Sequence, residues 1–337
     1  MNKETLLREQ IEHIDIRSFD STAIIEGMKK MSFTSRETAR AAEILHRMVK
    51  DPESTNILTL AGSTSAGGCM QVYVDMIRSG MIDVVVATGA SVVDMDFFEA
   101  LGFKHYRGDP TMDDGKLRDL YIDRIYDTFI DEEQLQKCDA TINEIANQME
   151  PGVYSSREFI REMGRYLASR PRIKDSMVLA AYEMEVPIFC PAFSDSSAGF
   201  GLVKHQWERP EAHVSIDSVK DFRELTMIKM KAPVSGLFMI GGGVPKNFAQ
   251  DTVVCAEILG TEVPMHQYAV QITVADVRDG ACSSSTLKEA SSWGKVSTVY
   301  EQMVYAEATT VLPLIVSYVY HREDWKNRPP RKWSTIY

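Results

Sequence analysis

The sequence predicts an α/β fold, a mainly parallel sheet flanked by helices. Three observations lead there. The runs "TNILTLAG" (55–62) and "IDVVVATGAS" (82–91) are apolar over most of their length, as strands buried on both faces are. The stretch "QVYVDMIRSGM" between them has helical spacing, which gives the strand–helix–strand order of a parallel crossover. Both runs end in small residues, where open parallel sheets bind their ligands.

The remaining elements follow in order. Residues 1–52 read as a helical N-terminal segment, with apolar positions three and four apart and Ser35 and Thr38 as caps. Residues 103–150 are more polar, a loop followed by a solvated helix. "SREFIREMGRYLASR" (156–170) is an amphipathic helix, and "VPIFC" is a strand that leads into a polar turn. "SVKDFRELTMIKMKA" is a helix, "SGLFMIGGGVPKNF" (235–248) a strand ending in three glycines, and "YAVQITV" (268–274) a strand. "MVYAEATTVLPLIVSYVYHR" closes the core as a helix. No repeat or Pro/Gly-rich linker divides the chain. We therefore expect one domain over 1–337, its core at 53–320.

The 337 residues are 44% hydrophobic and 25% charged, an ordinary globular balance. The net charge of −11 disfavours nucleic acid and anionic membrane and favours cationic small molecules. The five cysteines form no CxxC pair and the histidines no HxxxH spacing, so no metal site is expected. The N-terminus "MNKETLLREQ" lacks the apolar core of a signal peptide, and no apolar run is long enough to span a bilayer. Cytoplasmic residence is expected.

Three strand ends suit phosphates: "AGSTSAGG" (61–68), "ATGAS" (87–91) and "IGGGVPKN" (240–247). Glycine lets backbone N–H groups come close to an anion, and a helix N-terminus adds partial positive charge. None matches GxGxxG convincingly. Asp94, Asp96, Asp195, Asp276 and Asp279 follow strands. Each is either a ligand to ribose or ammonium, or a capping residue. His266 is either a general base or a structural histidine, and Cys282 a nucleophile or an idle thiol. "EASSWGKVS" (289–297) places Lys295 beside Trp293 with no charged residue within five positions. A lysine against an indole in a partly dry site is a candidate nucleophile for imine chemistry. On the residues alone an ordinary lysine is the simpler reading.

These blocks together resemble the deoxyhypusine synthase family, which includes homospermidine synthases. "EASSWGKVS" is similar to that family's active-site lysine block. "VPIFCPAFSDSSAG", "MIGGGVPKN" and "VYAEATTVLPLIV" match three more blocks in order. The resemblance implies a Rossmann-like NAD-binding architecture and an NAD-dependent aminobutyl transferase. In that chemistry a polyamine carbon is oxidised, its aminobutyl group is carried as an imine on lysine, and the new imine at the acceptor is reduced. It implies Lys295 as the imine-forming amine, with Glu289 and Trp293 in the substrate pocket. It implies NAD contacts from Ser63, Ser65, Thr88, Gly89, Asp94, Asp195, Gly241, Gly242, Gly243, Asp279 and Glu307. It also implies a homotetramer with sites at a dimer interface and a polyamine substrate such as putrescine or spermidine.

The chain departs from the family at three substrate positions. Asn247 replaces a histidine thought to assist oxidation, and Asn cannot take a proton. Phe200 and Cys282 replace carboxylates that would pair with ammonium groups, so spermidine in its usual pose is disfavoured. The expected acceptor is a small amine, as in homospermidine-type synthesis from putrescine. The alternatives are deoxyhypusine synthesis on a lysine of a translation-factor precursor, and a non-catalytic NAD- or polyamine-binding protein.

Overall fold

A computed structural model of the chain describes residues 2–171, 174–280 and 285–337. Its centre is a six-stranded sheet: β1 Ser54–Leu60, β2 Val84–Ala87, β3 Ile188–Phe189, β4 Val234–Ile240, β5 His266–Thr273 and β6 Val296–Tyr305. Every pairing is parallel, and the order is β3-β2-β1-β4-β5-β6. That is the doubly wound order of dinucleotide-binding folds, whose strand direction of winding reverses between β1 and β4. The register levels the carboxyl ends. Leu60 lies opposite Ala87 and Ile240, Ile240 opposite Ile272, and Ile272 opposite Val304.

Six helices matter for the site: α1 Phe33–Lys50, α2 Met70–Arg78, α3 Ser197–Glu208, α4 Gly243–Gln250, α5 Leu287–Ser292 and α6 Ala308–His321. Successive strand side chains point to opposite faces, so the sheet feeds two cores. Leu58, Leu60, Phe238 and Ile272 pack with Leu45 and Met48 of α1, Val72 and Met76 of α2, and Leu312 and Ile315 of α6. Ile57, Leu237, Met239 and Ala269 pack on the other face with Ala249 of α4 and Leu287 and Ala290 of α5.

Four expectations are corrected. Residues 1–52 are helical only in part: Lys3–Leu6, Thr22–Met28 and α1. Between the first two runs a strap directs backbone hydrogen bonds to its neighbours. Ile11 N donates to His105 O at 2.9 Å and Ile14 N to Gly68 O at 3.0 Å. Ser35 and Thr38 lie inside α1, whose N-cap is Ser32, and the Thr38 hydroxyl donates to Thr34 O. The closing helix begins at Ala308, because Val296–Tyr305 is the edge strand β6. Residues 103–150 contain a three-stranded antiparallel sheet, His105–Arg107, Ile122–Ile125 and Thr128–Asp131. The helix Glu132–Gln148 that follows buries Cys138, Ile142, Ile145 and Ala146.

A buried ion pair closes the amino edge of β1 and β2. The Arg328 guanidinium meets the Asp83 carboxylate, both 3% exposed or less. Arg328 also donates to Gly80 O and Ser54 O, and Asp83 accepts from Asn56 N at 2.7 Å. Among the described residues, no helix is long and apolar enough to cross a membrane.

Candidate functional site

The small-residue loops gather at the carboxyl edge, around the switch point. Ala61 N donates to Ile240 O, Thr88 N to Leu60 O and Gly241 N to Ile272 O, all within 3.0 Å. The Ser91 hydroxyl donates to Gly62 O at 2.8 Å and lies 3.0 Å from Thr88 Oγ1, tying the β1 and β2 loops together. Gly89 has a steric reason to be glycine. A Cβ there would fall 2.5 Å from Ser196 Oγ and 3.3 Å from Asp195 O. This close approach sets Asp195 beside the β2 loop. Gly241 and Gly243 have φ of +76° and +62°, the left-handed region that glycine enters freely.

Ser63 is half-buried in the β1 loop. Ser65 is 1% exposed, and its hydroxyl has no hydrogen-bond partner. A buried hydroxyl without a partner costs about 1–3 kcal/mol, so this loop is better satisfied with a polar ligand. Glu307 caps α6, accepting from Thr309 N at 3.1 Å and Thr310 N at 3.2 Å. Burial raises its pKa, but the hydrogen bonds from Thr309 and Thr310 outweigh that and hold it below the ordinary value. Glu307 stands near the β1 loop: burial pushes the Cys69 thiol up to about 12, and the Glu307 charge adds to that. Asp279 lies in the turn after β5, its N–H donating to Asp276 O. Asp94 is directed elsewhere. Its carboxylate accepts from Ser197 N at 2.7 Å, and burial pushes it up to about 6 despite that bond. It holds the first turn of α3. The unpartnered serine, the left-handed glycines and the acids beyond the strands fit a dinucleotide.

Lys295 is built into the joint between α5 and β6. Thr286 and Glu289 form a capping box, with Thr286 N to Glu289 Oε2 at 2.6 Å and Glu289 N to Thr286 Oγ1 at 3.2 Å. Gly294, at φ +72°, reverses the chain. Lys295 N then donates to Ala290 O at 3.1 Å, and Lys295 O accepts from His266 N at 3.0 Å. The backbone is held on both sides. The side chain is 15% exposed, with Nζ 5.1 Å from the centre of the Trp293 ring and 2.5 Å from Asp251 Oδ1. Trp293 itself is 69% exposed. Lys246 is buried nearby and donates to Ser285 O. Burial pushes it down to about 8, opposed by the Glu289 charge and reinforced by that of Lys295. Glu289 faces a groove of about 580 Å³ that also holds Glu37, Glu301 and Tyr305.

The loops and the amine occupy different ends of the sheet. The loops sit at the carboxyl ends, whereas Lys295 precedes the amino end of β6. Helix α4 joins them. It starts at Gly243 and is followed by Asp251, a rise of about 12 Å at 1.5 Å per residue. Asn247 is exposed midway along α4, four residues before Asp251 and so on the same face.

The substrate set expected from the sequence is therefore only partly assembled in one chain. Trp293 lies with Lys295 and Asn247 is on the adjoining helix, whereas Glu289 faces the groove beside Tyr305, at the carboxyl end of β6. Phe200 is not with them. It is 70% exposed on α3, which follows β3. β3 and β6 are opposite edges of the sheet, about 24 Å apart over five strand spacings. Cys282 lies outside the described residues. His266 is not turned toward the amine: its fully buried ring lies 2.9 Å from Ser235 Oγ and 3.2 Å from Ala249 O. Asp251 and Lys246 went unnoticed in the sequence. The i+4 spacing of Asp251 from Asn247 was the available signal.

Comparison with known proteins gives the same picture. The family model for deoxyhypusine synthase matches residues 23–319. A deoxyhypusine synthase-like protein of Coxiella burnetii is 66% identical over 99% of this chain and 96% of its own length. One from Caulobacter vibrioides is 65% identical, covering 99% and 92%. A solved structure described as a deoxyhypusine synthase of Entamoeba histolytica superposes with a TM-score of 0.60 at 18% identity, covering 92% of this chain and 97% of that one. The complex of AgrE with ornithine and NAD+ shares the fold at a TM-score of 0.55 and 11% identity, over 87% of this chain and 34% of that one. With the doubly wound sheet, the strand-end loops and the lysine block all in place, the chain belongs to the deoxyhypusine synthase family of transferases.

Proposed function

We propose that this protein is an NAD-dependent aminobutyl transferase that carries its group as an imine on Lys295 and delivers it to a small amine, as in homospermidine-type synthesis. The observation that carries this reading is the setting of Lys295. Its backbone is fixed on both sides, its amine lies against an indole face, and a carboxylate is in direct contact. Such a site suits a lysine that must hold still while a transient electrophile is captured.

NAD, when bound, supplies a reversible hydride acceptor. Ser63, Ser65, Thr88, Gly89, Asp195, Gly241, Gly242, Gly243, Asp279 and Glu307 are the residues that would hold it at the carboxyl edge. Trp293 offers a face to a cationic or aliphatic chain, and the groove of Glu37, Glu289 and Glu301, with Arg40 and Lys288 on its rim, keeps a net negative charge toward ammonium groups. Phe200 supplies no charge for the end of a spermidine, which favours a shorter or less charged amine. Because Phe200 stands at the edge opposite Lys295, a pocket holding both takes Phe200 from a second copy. That supports sites at a dimer interface, which the family's homotetramer would contain twice over, and a cytoplasmic polyamine pool is its natural supply.

The test is a product profile. The protein is incubated with NAD and labelled putrescine or spermidine, then treated with borohydride. Label in a free polyamine and a reduced adduct on Lys295 support the reading. Label in a protein acceptor alone points to deoxyhypusine synthesis, and no adduct points to a binding protein.

A further inference from the structure

The geometry points to Asp251 as the proton acceptor and shuttle for Lys295, a catalytic role that rests on the lysine–imine reading above. Asp251 Oδ1 is 2.5 Å from Lys295 Nζ, a direct charge-assisted contact along which a proton can pass without an intervening group. The carboxylate sits just past the end of α4, and the Asp251 N–H donates to Asn247 O at 2.8 Å. The aspartate backbone is therefore fixed relative to the lysine. Lys295 is mostly shielded while Asp251 is 39% exposed, so the acid has a route to pass protons to an arriving or departing amine. Two other ionisable groups share the surroundings. Lys246 feels the charge of Lys295 and is itself pinned to Ser285 O. Glu289 is engaged with Thr286 in the capping box. Neither is in hydrogen-bond contact with Lys295 Nζ, and His266 is turned into the core.

The step balances as follows. Asp251 takes one proton from the Lys295 ammonium. The freed lone pair attacks the carbon of the substrate iminium, forming a C–N bond and a gem-diamine. Asp251 hands its proton to the departing nitrogen and accepts a second from the new C–NH2+ centre. The original C–N bond then breaks, its electron pair staying with the departing amine and leaving Lys295 as an iminium. Asp251 gives its second proton to that amine, which leaves as an ammonium, and is again a carboxylate. No electrons are exchanged in this step.

The test separates Asp251 from the oxidation. Butanal and cyanoborohydride are added to the full chain with NAD, and butylation of Lys295 is followed by peptide mass spectrometry across pH. This probe forms its imine without oxidation of any polyamine. With the wild type we expect labelling at Lys295 well ahead of the other lysines. Asp251→Asn should slow it roughly hundredfold at pH 7, the lower end of general acid–base contributions. The deficit should narrow as pH rises, because hydroxide then takes the proton. Asp251→Glu, which keeps a carboxylate, should recover most of the rate. If Asp251→Asn labels as fast as wild type, or faster because a cation has lost its partner, the carboxylate is only a counter-ion and the assignment falls while the imine reading stands. If the wild type shows no preference for Lys295, the imine reading itself falls.

Discussion

Gly199→Ala tests whether the loop carrying Asp195 is packed as tightly as it appears. An added Cβ would lie 1.9 Å from Ser194 O, 2.7 Å from Ser194 C and 3.0 Å from Ser194 Cα. These are backbone atoms, so no rotamer change relieves the clash. Reaching even 3.0 Å from the oxygen requires a retreat of at least 1.1 Å. That movement strains the Ser197 N bond to Asp94 at 2.7 Å and the Gly199 N bond to Ser196 O at 2.8 Å. Overpacking of about 1–3 kcal/mol plus the partial weakening of those two hydrogen bonds, about 1 kcal/mol together, gives a cost of about 3 kcal/mol. For 337 residues, at roughly 2.1 cal/mol/K each, the unfolding entropy is about 0.7 kcal/mol/K, so Tm falls by about 4 °C. Circular dichroism melts measure it. Gly27→Ala is the control, since nothing lies within 4 Å of its Cβ and helix propensity alone should raise Tm by about 1 °C. A Gly199→Ala melt within 1 °C of wild type refutes the packing argument.

Ser65→Ala removes an unpartnered buried hydroxyl, so without ligand Tm should rise by about 1–4 °C, while NAD binding by calorimetry should weaken about tenfold. A lower Tm with unchanged affinity contradicts that account. Asp94 has its folded pKa raised from 3.8 to about 6, so the native state holds the proton more tightly than the unfolded chain. Its contribution is present below pH 4 and is lost as pH rises through about 6. Asp94→Asn cannot ionise, so its stability relative to wild type should increase from pH 4 to 7 by up to about 3 kcal/mol. Urea midpoints at several pH values check this, and a flat difference refutes it. Arg328→Met leaves Asp83 buried without its cation and should cost about 3–5 kcal/mol, or about 4–7 °C in Tm. Adding Asp83→Asn should restore most of that loss in the same melts.

The buried strands were readable because parallel strands covered on both faces are apolar along their length. β1, β2, β4 and β5 are such strands, and the apolar pattern marks the start of each to within two residues. β6 escapes that pattern. Its sequence "VSTVYEQMVY" mixes polar residues into an edge strand with one partner, and it runs into a genuine helix at Ala308. The strap before Thr22 was misread for a related reason. Its charged residues look like a solvated helix, yet its backbone bonds go to His105 and Gly68. The lysine block could be read as a block, but its chemistry could not be read in full. Asp251 and Lys295 are far apart in sequence, and only the end of α4 meeting the start of β6 makes them a pair. Phe200 shows the opposite case, a residue grouped by motif that the sheet sends to the other edge.

The clasp at the amino edge of the sheet carries a consequence for synthesis. Asp83 enters the interior with strand β2, but the guanidinium that neutralises it is 245 positions further on. During translation the acid at the base of β1 and β2 has no cation to pair with until that arginine emerges. A chain cut short before residue 328 therefore keeps a buried acid without its counter-ion, even when every residue of the glycine loops and the lysine block is present.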